Sequence, residues 1–250
     1  VFLRLKKRKM NLVIDRGNSS FKIALFDKKR LVENFQLKEI DSSFLQKIIT
    51  EYAPESGIIS AVKQVDSDIS GFLHENIPSF YELNNQLPLP VKIAYETPET
   101  LGVDRIAAAV GATAEKKNSN LLIIDIGTAI TIDFVSAEGI YKGGNISPGP
   151  QLRLKALHDY TDKLPYVPEK GDIPDFGYDT ETAIRSGVVQ GITRELDSYI
   201  EEYQKKQAVF AFLTGGYSFY FESKLKNSIF ADENLVLKGL NKILYFQQQK

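Results

Sequence analysis

The chain of 250 residues contains no cysteine, only two histidines and only one methionine. Without cysteine, the protein forms no disulfide, has no thiolate nucleophile and does not hold zinc through sulfur. His74 and His158 lie far apart in the sequence and in no metal-ligand spacing. Any bound metal ion must therefore be held by oxygen atoms.

Long apolar runs are also missing. No stretch approaches the roughly 20 apolar residues that a membrane-spanning helix needs, and the short apolar start Val1-Phe2-Leu3 lies on the wrong side of the basic residues for a signal peptide. We therefore expect a cytoplasmic protein that does not enter a membrane. Residues 1–9 precede the only methionine, Met10, and are interpreted as a non-native or disordered extension.

Outside its first ten residues, the chain has no excess of positive charge. The formal net charge is −1, and the first ten residues hold five basic side chains and no acidic one. The remaining sequence is therefore more acidic than the total suggests. An acidic body argues against a groove for nucleic acid.

Two copies of one short pattern lie 110 residues apart. Leu12-Val13-Ile14-Asp15-Arg16-Gly17-Asn18-Ser19 and Leu122-Ile123-Ile124-Asp125-Ile126-Gly127-Thr128-Ala129 are each an apolar strand that runs into Asp-x-Gly and a small polar residue. Each copy alone is also what a tight turn after a buried strand needs. Because a second strand-like run follows both copies, the pair predicts a duplicated β-hairpin. Such turns offer N–H and hydroxyl donors to phosphate, and the aspartates can hold Mg²⁺.

The rest of the chain predicts an α/β protein of two similar domains with a nucleotide cleft between them. The polar run 116–120 is the best boundary, which gives an N-terminal domain at 10–117 and a C-terminal domain at 118–250. Apolar periodicity predicts helices at 41–52, 66–74, 104–117, 152–160 and 182–205, and near the C-terminus. Strands are expected at 57–62, 80–83, 91–95, 208–213 and 235–237. The stretch 143–150 is rich in glycine and proline, and the stretch 165–179 is expected to be irregular. Gly187 and Gly191 in the long helix suggest close approach of a backbone or a ligand.

The usual nucleotide motifs are absent, since neither G-x-x-x-x-G-K-[ST] nor G-x-G-x-x-G occurs. Thr214-Gly215-Gly216 follows a predicted strand, and there the backbone can approach an adenine or a ribose closely. This is the third glycine turn at a strand end, which favours a binding role over a purely structural one.

Gly102-Val103-Asp104-Arg105 opens an alanine-rich helix and is the sharpest candidate for catalysis. Asp104 is equally typical of a helix N-cap, and Arg105 of a solvated surface residue. In the functional interpretation, Asp104 stays ionised and accepts a proton from a substrate hydroxyl, while Arg105 binds a carboxylate through two hydrogen bonds.

Five ordered motifs together resemble the type III pantothenate kinases of the acetate kinase, sugar kinase, Hsp70 and actin superfamily. The resemblance covers essentially all of residues 10–250. The motifs are Asp15-x-Gly17-Asn18-Ser19-x-x-Lys22, Tyr95 seven residues before Gly102-x-Asp104-Arg105, Asp125-x-Gly127-Thr128-Ala129-x-Thr131, Gly143-Gly144-x-Ile146-x-Pro148-Gly149, and Thr214-Gly215-Gly216. Ser19 stands where the family usually has threonine, and its hydroxyl is kept.

The resemblance implies two ribonuclease H-like (actin-like ATPase) domains, and ATP-dependent phosphorylation of pantothenate at its primary hydroxyl, the first step towards coenzyme A. Asp104 would be the proton acceptor. The pantothenate site would be lined by Tyr95, Gly102, Val103, Arg105 and Thr180. ATP would be held by Asp15, Arg16, Gly17, Asn18, Ser19, Ser20, Phe21, Lys22, Thr128, Gly215 and Gly216.

The resemblance also implies the ions and the assembly. Mg²⁺ would accompany ATP near Asp15, through a phosphate or a water, and Asp125 would bind a monovalent cation, K⁺ or NH₄⁺. The family works as homodimers, with the substrate pocket near the subunit interface. Two alternatives stay open on the sequence: a nucleotide-binding regulator of the same fold without turnover, and a kinase of another small hydroxy acid.

Overall fold

The computed structural model describes residues 9–61 and 66–249. The predicted extension at residues 1–9 therefore lies outside the described residues, apart from the exposed Lys9. The chain divides into two compact units, of which the second comprises Lys116–Asn234. The first contains the described residues up to Glu115 together with those from Leu235 onward. Within the described ranges, no helix is long and apolar enough to cross a membrane.

In the first unit, three strands are followed by a helix, a strand, a second helix and a further strand. Its strands are β1 (Met10–Arg16), β2 (Phe21–Asp27), β3 (Arg30–Leu37), β4 (Ser56–Ala61), β5 (Ser79–Glu82) and the two-residue β6 (Lys92–Ile93). Its helices are α1 (Ser42–Tyr52), α2 (Ser67–Asn76), a 3₁₀ turn (Pro98–Thr100), α3 (Val103–Glu115) and the C-terminal α7 (Leu235–Gln248).

A five-stranded sheet organises this unit, in the order β3-β2-β1-β4-β5. The first three strands form an antiparallel meander, and β4 and β5 continue the sheet in parallel. Apolar residues that alternate along β1 and β2 pack with Leu45 and Ile48 of α1 and Leu73 of α2 in one buried cluster. This core holds the carboxyl ends of β1 and β4 side by side.

The second unit repeats this plan. Its strands are β7 (Asn120–Ile126), β8 (Ala129–Val135), β9 (Ile140–Pro148), β10 (Val209–Thr214) and β11 (Phe230–Ala231). Its helices are α4 (Pro150–Asp159), α5 (Thr180–Lys206) and α6 (Ser218–Glu222). The five strands lie in the order β11-β10-β7-β8-β9, with β7, β8 and β9 antiparallel and β10 and β11 parallel to β7.

The prediction of a duplicated β-hairpin is confirmed, and the duplication extends further than the sequence indicated. In each unit a third antiparallel strand follows the hairpin, and neither β3 nor β9 was predicted. β3 is rich in exposed polar residues, which weakens the apolar alternation. β9 contains Gly143 and Gly144, and glycine inside a strand weakens the strand pattern in the sequence.

The C-terminal segment differs from the prediction in two ways. Leu235–Leu237 is the first turn of α7 and not a strand, since an apolar run of three residues does not distinguish the two. α7 also belongs to the first unit, whereas the predicted C-terminal domain extended to residue 250. The reason is close packing of α7 on α3, where a Cβ added at Gly111 or Gly239 would overlap the backbone of the other helix.

The other predicted helices are observed with small shifts in their ends. Asp41 caps α1 by accepting a hydrogen bond from the Phe44 N–H at 2.8 Å. Asp179 caps α5 through a reciprocal capping box with Thr182. The cap fixes where α5 begins and thereby places Thr180 in its first turn.

Candidate active site

Asp15 lies at the carboxyl end of β1, where the first glycine turn begins. The turn closes with Asp15 paired to Lys22 and Arg16 paired to Phe21 across the two strands. The Arg16 guanidinium lies 5.4 Å from the centre of the Phe21 ring. The whole predicted phosphate segment, residues 15–22, is therefore one hairpin end with a cation on either strand.

The donors of this turn are not those that the sequence suggested. The Gly17 N–H donates to the Ser20 carbonyl at 3.0 Å, and the Gly127 N–H of the second copy donates to the Ala129 carbonyl at 2.9 Å. Both glycine N–H groups are thus used inside their own turns. Asn18, between Gly17 and Ser19, is an exposed polar residue of the first turn.

The Asp15 carboxylate is largely buried, and burial raises its pKa from 3.8 to about 6. A hydrogen bond from the Ser60 hydroxyl and the charge of Lys22 lower this pKa, while the negative charge of Asp104 raises it. The Ser60 Oγ lies 2.7 Å from the Asp15 Oδ1. Asp15 and Asp104 therefore form an interacting pair of carboxylates within the first unit.

Asp104 occupies the first turn of α3 and not its N-cap, so the capping interpretation is wrong. The cap position belongs to Gly102, whose carbonyl accepts a hydrogen bond from the Ile106 N–H at 3.2 Å. A Cβ at Gly102 would come within 2.5 Å of the Asp104 Oδ1, so a larger residue there would displace this carboxylate. The Oδ1 also accepts from the Arg105 N–H at 2.8 Å. The positive end of the helix favours the ionised carboxylate.

Arg105 is buried, with 7% of its surface exposed, so it is not a solvated surface residue. Its guanidinium lies 5.9 Å from the centre of the Tyr95 ring, within the range of a cation–π contact. Buried arginine is rare unless its charge is compensated. Tyr95, Gly102, Val103, Asp104 and Arg105 are thus gathered around the start of α3.

In the second unit, the Asp125 motif and the Thr214-Gly215 motif meet. Asp125 pairs with Thr131 on one side and with Thr214 on the other. Gly215 has φ +90°, and a Cβ there would overlap the Asp125 carboxylate and the Ile126 carbonyl. The left-handed backbone and the close approach both require glycine. The Thr214 hydroxyl is completely buried and has no hydrogen-bond partner among the described residues.

Thr128 lies in the second glycine turn, beside the start of α4. Its carbonyl accepts a hydrogen bond from the Gly149 N–H at 2.9 Å. The Pro148-Gly149 motif is therefore fastened to the turn that follows Asp125.

Thr180 lies on the wall of a cavity of about 740 Å³ between α4 and α5. The wall is mostly apolar, and Gly187 also lines it. Neither Gly187 nor Gly191 has an atom within 4 Å of the position its Cβ would take, so no backbone of the described residues explains these glycines. At one edge, Arg153 forms an ion pair with Glu195 at 2.6 Å.

Sequence reasoning missed Ser60 and Thr214 as site residues. The sequence holds no distinguishing signal for Ser60, because its contact with Asp15 depends on the pairing of β4 with β1. Within the described ranges, no three His, Asp or Glu side chains form a group that could hold a metal ion by themselves. A metal at this site would need ligands from a bound molecule.

Comparison with known proteins gives one consistent family. The family model of type III pantothenate kinase matches residues 11–202. A type III pantothenate kinase of Azobacteroides pseudotrichonymphae genomovar. CFP2 is 55% identical over 240 residues, which cover 96% of this chain and 98% of that protein.

Solved structures share the fold. A Baf family transcriptional activator from Campylobacter jejuni matches with a TM-score of 0.59 and 24% identity, over 96% of this chain and all of that one. A glucokinase from an Antarctic psychrotroph matches with a TM-score of 0.54 and 11% identity, over 95% of this chain and 99% of that one. The predicted fold class, that of the sugar kinases and actin-like ATPases, is confirmed.

Proposed function

Because the chain belongs to the type III pantothenate kinase family, whose members phosphorylate pantothenate with ATP in coenzyme A synthesis, we propose that it does so with Asp104 as the proton acceptor. The arrangement of residues around the start of α3 is the observation that supports Asp104 as the proton acceptor. The Asp104 carboxylate in the first turn of α3, the buried Arg105 and the glycine turn that begins at Asp15 lie together in one unit.

In the proposed reaction, the primary hydroxyl of pantothenate attacks the γ-phosphorus of ATP. A new P–O bond forms as the bond to the bridging oxygen breaks, ADP leaves, and the hydroxyl proton passes to the Asp104 carboxylate. Phosphoryl transfer has a loose transition state, so positioning and charge neutralisation supply most of the catalysis. Asp104 mainly orients the hydroxyl and takes its proton late.

Arg105 is proposed to bind the pantothenate carboxylate. A guanidinium offers two parallel N–H donors to a carboxylate, and the Tyr95 ring beside it restricts its orientation. Gly102 and Val103 would line the same site. Thr180 would contact the substrate from the wall of the α4–α5 cavity.

The ATP phosphates are assigned to residues 15–22 and to Thr128. Lys22 and Arg16 supply positive charge, and the exposed Asn18 and Ser19 and the half-buried Ser20 supply polar groups. Gly215 and Gly216 would contact the nucleoside, since Gly216 is exposed and no atom lies within 4 Å of the position its Cβ would take.

Mg²⁺ fits the residues near Asp15. This ion is usually held by one or two carboxylates together with substrate phosphates and waters, which agrees with the lack of a metal-binding cluster in the described residues. Asp15, directly or through a water, would hold it. The ion would neutralise charge on the transferred phosphate.

A monovalent cation, K⁺ or NH₄⁺, fits the residues around Asp125. The carboxylate and the unpartnered, buried Thr214 hydroxyl are hard oxygen donors on neighbouring strands. An unsatisfied buried hydroxyl costs stability unless a ligand engages it. Bound there, the cation would compensate the Asp125 charge near the ATP phosphates.

We also infer that the protein is a homodimer. Large apolar side chains of β9, of α4 and of the residue that ends α4 are exposed: Ile146 by 64%, Leu152 by 43% and Tyr160 by 87%. Contiguous exposed apolar surface on a protein is typical of an interaction site. Sedimentation or light scattering that reports a monomer at micromolar concentration would contradict this inference.

A coupled assay of ADP release tests the proposed function. The purified chain is incubated with ATP, Mg²⁺, K⁺ and pantothenate, beside a reaction without pantothenate. We expect ADP only when pantothenate is present, together with a phosphorylated product of matching mass. Nucleotide binding without pantothenate-dependent ADP would favour a regulator, and turnover only with another hydroxy acid would favour a different acceptor.

A further inference from the structure

Ser60 is a fully buried serine at the carboxyl end of β4. β4 runs parallel to β1, and Ser60 pairs in register with Asp15. Partners in register on parallel strands project from the same face of a sheet. The Ser60 Oγ therefore reaches the Asp15 Oδ1, to which it donates a hydrogen bond of 2.7 Å.

The hydrogen bond from Ser60 to Asp15 lies at the end of a strand that is buried along most of its length. Ser60 follows Ile58 and Ile59, which are buried apolar residues, so the strand is otherwise built for the core. A buried hydroxyl in such a strand needs a partner, and here the partner is a carboxylate and not a carbonyl of the sheet. Hydrogen bonds to charged groups are about twice as strong as neutral ones.

The bond also restricts the carboxylate. It engages Oδ1, which limits rotation about the Cβ–Cγ bond. Lys22 pairs with Asp15 from the opposite strand, β2, so the carboxylate is held between neighbours on both sides.

We propose that Ser60 is a positioning residue for the phosphate transfer: its hydroxyl orients Asp15 so that the carboxylate receives the metal-bearing phosphates of ATP. This rests on the proposed function of the site. Ser60 itself touches neither substrate, so its contribution passes through Asp15. Asp104 and Arg105 on α3, which are proposed to bind pantothenate, take no part in the hydrogen bond between Ser60 and Asp15.

The test compares Ser60→Ala with Ser60→Thr, which keeps the hydroxyl. Ser56→Ala is the matched control, because Ser56 is a buried serine of the same strand that pairs with Asn11 and not with Asp15. Two experiments are carried out on each protein. The activity assay gives the Mg²⁺ concentration for half-maximal activity and the KM for pantothenate. Calorimetry gives the affinity for ATP with and without Mg²⁺.

We expect Ser60→Ala to raise the half-maximal Mg²⁺ concentration about 10-fold and to lower turnover, since a hydrogen bond to a charged group is lost. The KM for pantothenate should stay within about 2-fold. In calorimetry, Ser60→Ala should weaken binding of ATP with Mg²⁺ about 10-fold and leave metal-free ATP unaffected. Ser60→Thr should restore most of the loss, and Ser56→Ala should match the unmodified chain.

Equal weakening of ATP with and without Mg²⁺, or an unchanged response to Mg²⁺, would overturn the proposal. If Ser60→Ala does not fold, Ser60→Cys replaces it, since cysteine is close in size and a weaker donor. If the unmodified chain releases no ADP with pantothenate, the proposed function fails. The calorimetric comparison still decides the role of Ser60 in that case.

Discussion

Asp15→Asn should stabilise the fold although it removes a proposed ligand of the phosphate site. Burial raises the pKa of Asp15 from 3.8 to about 6, which means that the folded protein disfavours the ionised carboxylate. A difference of this size corresponds to about 3 kcal/mol near neutral pH. Because the side chain keeps part of its surface in solvent, we expect about 1 to 3 kcal/mol. Asparagine removes this cost, and its Oδ1 can still accept the Ser60 hydrogen bond.

The sign follows from proton binding. Between about pH 4 and pH 6 the unfolded chain releases the Asp15 proton before the folded chain does, so the folded state binds more protons. The free energy of unfolding therefore falls as pH rises through this window, and the full cost is present above it. The advantage of Asp15→Asn should be largest near pH 7 and nearly absent near pH 4.

Thermal unfolding in the absence of ATP and metal ions measures the effect. For a chain of this length, 1 to 3 kcal/mol corresponds to a rise in Tm of about 3 to 10 °C. Asp162→Asn, at an exposed carboxylate, serves as the control and should leave Tm unchanged at both pH values. A variant no more stable than the unmodified chain near pH 7, or equally more stable near pH 4, would refute the reasoning.

Three further predictions concern the proposed reaction. Asp104→Asn should lower kcat at least about 100-fold and leave ATP affinity within about 3-fold, because only proton acceptance is lost; near-normal turnover would remove Asp104 from the mechanism. Arg105→Ala should chiefly raise the KM for pantothenate, whereas an unchanged KM would mean that the carboxylate is bound elsewhere. Gly215→Ala should lower stability by about 1 to 3 kcal/mol and weaken ATP binding, since a side chain at φ +90° overlaps Asp125; an unaffected melting curve would contradict the strain.

Local patterns predicted most of the fold. The apolar run before each Asp-x-Gly turn and the helical spacing of Leu45 and Ile48 depend only on neighbours in the sequence, and both were observed as expected. β3 was missed because its exposed face hides the alternation. The position of α7 was missed because it depends on packing against α3, a contact between segments more than 100 residues apart.

Some residues of the candidate site were also predictable from local patterns, and others were not. The motifs around Asp15, Asp104, Asp125 and Gly215 were recognisable because each concentrates unusual residues in a few positions. Ser60 was not, since one serine after two isoleucines has no distinguishing neighbours. Its importance appears only when β4 is placed beside β1. The assignments of individual residues to ATP, pantothenate and cations stay predictions.

The sequence by itself determined the family, the two glycine turns, the absence of thiol chemistry and the helices that carry an apolar stripe, because composition and local periodicity are properties of the chain alone. The tertiary structure decided that Gly102 and not Asp104 caps α3, that Arg105 is buried, that Gly215 packs on Asp125, and that Ser60 holds Asp15. The physical reason is that burial and hydrogen bonding between distant segments depend on strand order and register. A carboxylate acquires its pKa from those neighbours, whatever residues surround it in the sequence.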